Sequence, residues 1–242
     1  MKPVKLSPLD VPYLAKCGGD LRELVVHDTG ATIFKKGGGG PNSYEPILRR
    51  FGDLSAGRLS INQLIDWINS SDLDQFAPHL IAGSIGFHEL LQRSGGIWRH
   101  RPSDERHIVG GLTTQSGVRG IWLGSDFRRA CIVNLRTTEN LSQGVAGFLL
   151  RACYEIFVRD EPSVSEPCVV DLSMQSFHTS GFERARRANV LTPENIPMMP
   201  LDEYELVLRR FWGALEAARV VPSESMPKDI VGTLFRPDPG LF

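Results

Sequence analysis

In this chain of 242 residues, the segment with the most chemical promise is Leu141-Ser142-Gln143-Gly144-Val145-Ala146-Gly147-Phe148-Leu149-Leu150. It stands between a β-rich run ending near Arg136 and an apolar run of helical period through Leu149 and Leu150, so it reads as a strand-to-helix junction. Gly144, Ala146 and Gly147 would let a ligand approach the backbone closely there. The unpaired N–H groups of a helix's first turn, with the positive end of its dipole, suit an anion such as a pyrophosphate. Small residues at a helix start equally permit tight packing on a sheet. The residues alone leave both uses open.

Other candidates are weaker. Lys35-Lys36 followed by Gly37 to Gly40 offers a glycine-rich loop, but Pro41-Asn42 follows where a phosphate loop needs Lys-Ser or Lys-Thr opening a helix. A flexible loop or flap is the simpler expectation. His79 and His88 are nine residues apart, not the i,i+4 spacing of a helical metal site, and no metal ligand set is expected. His27-Asp28 has no further His and Asp of the kind a metal hydrolase needs. Cys17, Cys131, Cys153 and Cys168 show no CxxC pair. The last three lie in apolar runs, where a free thiol packs as a small hydrophobe, while Cys17 sits in a loop-like context. Arg184, Arg186 and Arg187 form a short basic cluster that reads as a solvated helix face or as a contact to an acidic group.

The elements that must position these residues follow from periodicity. Residues 1–23 read as an irregular lead-in and Leu24 to Phe34 as strand or hairpin. Ser60 to Ser70 is an amphipathic helix with Ser60 as N-cap and Gln63 completing a capping box, and Gln75 to Arg93 is a second helix. Short β-rich runs cover Ile97–Arg101, His107–Gln115, Val118–Gly124 and Arg129–Thr137. A helix from Ser142 to Val158, a strand from Cys168 to Met174, a helix from Ser176 to Asn189 and a last helix from Asp202 to Arg219 complete the order. The fold class is therefore α+β: a mixed, mainly antiparallel central sheet with flanking helices and one β-α-β crossover. The expected organisation is a mainly helical N-terminal extension over 1–96, an α/β core over 97–221 and a surface tail over 222–242. The core is expected on Val109, Ile121, Val133, Phe148, Leu149, Ile156, Val170 and Leu172.

Composition narrows the class of partner. With 27 Lys+Arg against 28 Asp+Glu the net charge is -1, so the strong basic signature of a nucleic-acid-gripping protein is missing and such a partner is not expected. No run of about 18 apolar residues occurs, and Met1 to Leu6 lacks the apolar core of a secretory signal. A soluble, cytoplasmic protein without a membrane partner is the expectation.

The segment Gln143 to Leu150 resembles the acyl-CoA-binding loop of the GNAT superfamily of N-acyltransferases, Arg/Gln-x-x-Gly-x-Gly/Ala leading into an amphipathic helix. Gly144 and Ala146 match the small positions, and Leu141 stands where the family has Arg or Gln. His107 to Leu112 is similar to the family's central strand with its Val-Gly step. The strand Val169 to Leu172 and a helix over Gly181 to Ala188 fall where the family has its splayed fifth strand and following helix. The similarity spans roughly residues 97 to 192. It implies a GNAT-like core, acetyl-CoA or a longer acyl-CoA as co-substrate, and a small-molecule or protein amine as acceptor. Amides of Gln143, Gly144, Val145, Ala146 and Gly147 would bind the pyrophosphate. The strand edge Ile132, Val133, Asn134 and Leu135 would pair with the pantetheine arm. The family's acid-donating Tyr position is filled by about Ala185, leaving His178 and Tyr154 as substitutes, with Glu139 or Glu105 as base.

Two readings follow. The first is an acyl-CoA-dependent N-acyltransferase. The second is a non-catalytic subunit or interaction protein built on a degenerate transferase-like fold, as a homodimer or in a larger assembly; Leu141, the missing Tyr and the lack of a paired acid/base signature speak for it.

Overall fold

A computed structural model describes residues 45–71, 77–101, 106–109, 112–115, 120–135, 141–159, 161, 163–173, 175–176 and 185–209. The chain divides into two compact units. Ser43–Ser103 with Gly117–Met198 forms one, and Met1–Asn42, Asp104–Ser116 and Met199–Phe242 form the other. The described helices before residue 97 thus share one unit with the strands of residues 97–100 and 120–191.

That unit opens with three helices, α1 (Glu45–Ser55), α2 (Ile61–Asn69) and α3 (Ala77–Ser94). In α2 the Ser60 side chain accepts from the Gln63 N–H while the Gln63 side chain accepts from the Ser60 N–H, and Leu64 and Ile68 point inward. The sequence expectation for this helix holds to within a residue. Helix α3 buries most of its surface because Ala82, Gly83 and Gly86 leave room for neighbours on that side. A Cβ at Gly83 would stand 2.8 Å from Leu135 Cδ2, and one at Gly86 would collide with the carbonyl of Arg186. Gly95 and Gly96, at φ of 67° and 91°, turn the chain out of α3 in a conformation that favours glycine.

Five strands make the sheet, in the order β1 (Ile97–His100), β4 (Gly120–Leu123), β5 (Arg128–Asn134), β6 (Glu166–Asp171), β9 (Asn189–Leu191). All pairings are antiparallel except β5–β6, which runs parallel from Arg129↔Glu166 to Asn134↔Asp171. Helix α4 (Gln143–Cys153), continued by a π-turn over Tyr154–Val158, makes the crossover between them. The α+β class and the mixed, mainly antiparallel sheet with flanking helices are as expected.

Side chains occupy both sheet edges. Ser55 Oγ accepts from the Trp98 N–H at 3.0 Å on β1, and Asn195 Nδ2 donates to the Val190 carbonyl at 2.9 Å on β9. Such occupation blunts an edge that would otherwise invite another strand. The core runs from the helices to the sheet. Phe51 stacks on Phe87 at 4.1 Å, Phe87 meets Trp98 edge-on at 5.3 Å, and the Trp98 indole N–H donates to the Leu48 carbonyl. Gly120 lies against the Trp98 ring, where a Cβ would collide with it.

Three expectations need correction. His107–Leu112 is not a central strand: β2 (Arg106–Val109) and β3 (Leu112–Gln115) pair only with each other, in a separate two-stranded sheet of the other unit. The Gly110-Gly111 dipeptide between them is a hairpin signal that outweighs the Val-Gly step. The helix expected from Ser176 to Asn189 is replaced, where described, by strands: β7 (Gln175–Ser176) pairs with β8 (Ala185–Arg186), and β9 pairs with β6. Tertiary pairing with β6 and an inward-facing Arg186 override the charged helical pattern. Ile121 and Ile156 are half-buried rather than central, whereas Val133, Phe148, Leu149, Val170 and Leu172 are buried. The side chain of Val109, the segments 1–23 and 24–34, Gly37–Gly40, the end of the last helix beyond residue 209 and the tail after 222 lie outside the described residues.

Phe148→Ala is expected to cost about 3–5 kcal/mol in urea unfolding, since the residue is 1% exposed; a loss below about 1 kcal/mol would show the helix turned the other way. Gly86→Ala should cost about 1–3 kcal/mol because a backbone carbonyl cannot yield, and Gly83→Ala should cost less because only a rotatable Leu135 methyl is in the way. The reverse order would contradict the close approach at Gly86.

Candidate functional site

The β5–α4–β6 crossover brings together the residues that sequence singled out. A parallel crossover runs its helix back against its strands, so the α4 N-terminus lies at the carboxyl ends of β5 and β6, where open α/β sheets place their ligands. Ser142 is the N-cap, and its side chain accepts from the Val145 N–H at 3.4 Å. The Ala146 N–H donates to the Ser142 carbonyl at 2.9 Å. Val145, Ala146 and Gly147 are buried, Gln143 is exposed and Gly144 half-buried. Among the described residues, the N–H groups of Gln143 and Gly144 have no acceptor. Of five amides expected to face an anion, these two are open to it, and Ser142 already occupies the next two. Gly144 is inside the helix and is not among the glycines of positive φ, so its backbone conformation does not require glycine.

The strand segment Ile132 to Leu135 is buried throughout. Ile132, Val133 and Asn134 stand opposite Val169, Val170 and Asp171 of β6. At the end of that ladder the Leu172 N–H donates to the Asn134 carbonyl at 2.9 Å, and Asn134 Nδ2 donates to Asp171 Oδ1 at 2.9 Å. Asp171 Oδ1 also accepts from the Ser173 N–H at 3.1 Å. Beyond this point Arg186 reaches in from β8, 2% exposed, and its Nη1 donates to the carbonyls of both Leu135 (2.9 Å) and Leu172 (3.2 Å). The β6 strand does not splay from β5 within these residues. Sequence reasoning read Arg186 as part of a solvated helix face or as a contact to an acidic group, and passed over the Asn134–Asp171 pair. The available signal was a polar residue closing each apolar run, Cys-Ile-Val-Asn and Cys-Val-Val-Asp.

The remaining candidates are dispersed. Tyr154 begins the π-turn at the far end of α4, about 15 Å along the axis from Gly144 at the ordinary helical rise. Its ring lies under the Arg151 guanidinium at 5.7 Å. Next to it the buried Glu155 carboxylate accepts from Arg151 and Arg159. His178, Glu139 and Glu105 lie outside the described residues. His79 is exposed; burial holds His88 below the ordinary imidazole range, with Glu89 opposing. Arg187 is exposed, and Arg184 is outside the described residues.

Cys131, Cys153 and Cys168 are free and buried, as expected of packing residues. Cys131 and Cys168 are register partners across the β5–β6 pair, and the Cys153 thiol donates to the Ala130 carbonyl at 3.2 Å. Burial pushes the Cys131 and Cys153 thiols up; neighbouring Cys168 adds to the rise at Cys131. Among the described residues no group of His, Cys, Asp and Glu could hold a metal ion, and no helix is long and apolar enough to cross a membrane.

Comparison with family models, curated proteins and solved structures yields no significant match.

The thiol burial generates a direct test. In folded protein at pH 8, site-resolved mass spectrometry should find Cys131, Cys153 and Cys168 unmodified by iodoacetamide, because burial shields all three and also suppresses the reactive thiolate of Cys131 and Cys153. All three should label once urea unfolds the chain. Rapid native labelling of any one would contradict its place in the core.

Proposed function

We propose that the chain is a non-catalytic binding or assembly protein whose core has the β-α-β plan of a transferase without an open thioester slot. The observation that carries this reading is the closed β5–β6 seam. In the resemblance, the pantetheine arm pairs with a strand edge that its neighbour leaves free. Here Asn134 gives its carbonyl to Leu172 and its side chain to Asp171, and Arg186 takes the carbonyl of Leu135. A carbonyl already held by a buried donor offers an arriving amide little, and breaking that bond first leaves a buried donor unsatisfied. The separation of Tyr154 from the α4 N-terminus supports the same reading.

The alternative is an acyl-CoA-dependent N-acyltransferase. Two observations favour it: the parallel crossover itself, and the pair of open amides at Gln143 and Gly144 beside an N-cap serine. An anion seated there would gain two backbone hydrogen bonds and the favourable end of the helix dipole.

Calorimetry of the full chain with acetyl-CoA and a long-chain acyl-CoA, followed by mass spectrometry of a mixed amine library, separates the two. The proposed function expects no heat at millimolar ligand and no acylated amine. Binding that Gly144→Val abolishes, together with acyl transfer, would establish the transferase and overturn the proposal.

A further inference from the structure

Strands β7 and β8 contribute two residues each, too little pairing to be stable alone. Two features tie them to the rest of their unit. The Arg186 backbone rests on α3 where Gly86 has no side chain, and the Arg186 guanidinium passes to the carboxyl ends of β5 and β6. The last described ladder bond of the parallel pair is the one from Leu172 to Asn134; past it, the two strand ends are held through one nitrogen. The two N–H groups of Nη1 each take one carbonyl, one from each chain segment. Burying a guanidinium is costly unless its hydrogen bonds are made, so the loss of either carbonyl makes it costlier to keep Arg186 in place. Each of the two bonds therefore favours the other.

We propose that Arg186 is a latch that holds shut the carboxyl end of the β5–β6 seam, so that the β7–β8 pair and this end of the seam open and close as one unit. The inference goes beyond the functional reading above and does not depend on whether an acyl-CoA binds. The latch divides the seam into two parts. From Arg129 to Val133 it is held by continuous pairing with β6 under the crossover helix. From Asn134 to Leu172 the last backbone bond, Leu172 N–H to the Asn134 carbonyl, is reinforced by side chains: Asn134 on Asp171, and Arg186 on both strand ends. Gly86 fixes where the latch is hinged, since any side chain there would push the Arg186 backbone away from α3.

Residue-resolved amide hydrogen exchange on the full chain tests this. In Arg186→Met, which keeps an apolar stem and removes the donor, the Leu172 amide should exchange about tenfold faster or more, as local opening becomes easier. The amides of Cys168 and Val170, lower in the seam, and of Trp98 and Trp122 in the distant strands should keep their rates. Arg186→Lys retains a donor and should recover part of the protection at Leu172. Equal acceleration at Leu172 and Val170, or no change at Leu172, would overturn the proposal. Should Arg186→Met fail to fold, the wild-type chain carries the test. The Leu172 and β7–β8 amides should then share one opening free energy, below that of Cys168, and opening of Leu172 only on global unfolding would refute the latch.

Discussion

The arrangement at the carboxyl end of the sheet depends on a buried guanidinium that bonds two strand ends at once. Parallel strands leave their last carbonyls without partners unless something covers them, and Leu135 and Leu172 both end in the interior. Arg186 satisfies both from a strand that otherwise has little to hold it. Removing the donor would leave two buried carbonyls unpaired, each at a cost of about 1–3 kcal/mol. The Asn134–Asp171 bond one step inward is subject to the same constraint, because both side chains are almost fully buried.

This closure has a structural prerequisite on the other side of the unit. Helix α3 lies close enough to β8 and Leu135 only because Gly83 and Gly86 present no bulk. Its Leu80, Phe87, Leu90 and Leu91 belong to one buried cluster with Phe51 and Trp98, both of which Phe87 contacts. Core packing and the polar clamp are thus linked through one helix: apolar residues anchor it, and glycines bring the clamp within reach. The functional consequence lies at the seam. A β-α-β unit with its strands paired through Asn134 and Asp171 presents a capped helix terminus with two open amides, and the proposed function rests on that pairing.

Much of this was legible in the sequence wherever the signal is local. Ser60 and Gln63 specify a helix start by their own hydrogen bonds, and Ser142 before Gln143-Gly144-Val145 does the same for α4. The apolar runs of β5 and β6 identified buried strands, and the thiols within them proved to be packing residues. What sequence could not give is whatever depends on partners distant in the chain. Arg186 among Arg184 and Arg187 has the pattern of a solvated face, and only its meeting with Leu135, 51 residues away, turns it inward. Asn189 ends the expected helix, yet with Val190 and Leu191 it is captured by β6. His107 to Leu112 pairs with its own neighbour because a glycine dipeptide separates two short runs. The candidate site divides in the same way: the α4 cap was readable, and the closure of the seam was not.

The most direct measurement is the scalar coupling across the hydrogen bond from the Leu172 N–H to the Asn134 carbonyl, read by NMR in solution with and without acetyl-CoA. A closed seam gives a detectable coupling between the Leu172 nitrogen and the Asn134 carbonyl carbon that persists unchanged at millimolar acetyl-CoA. Absence of that coupling in the free protein, or its loss as acetyl-CoA is added, would contradict the closed seam on which the structural and functional account rests.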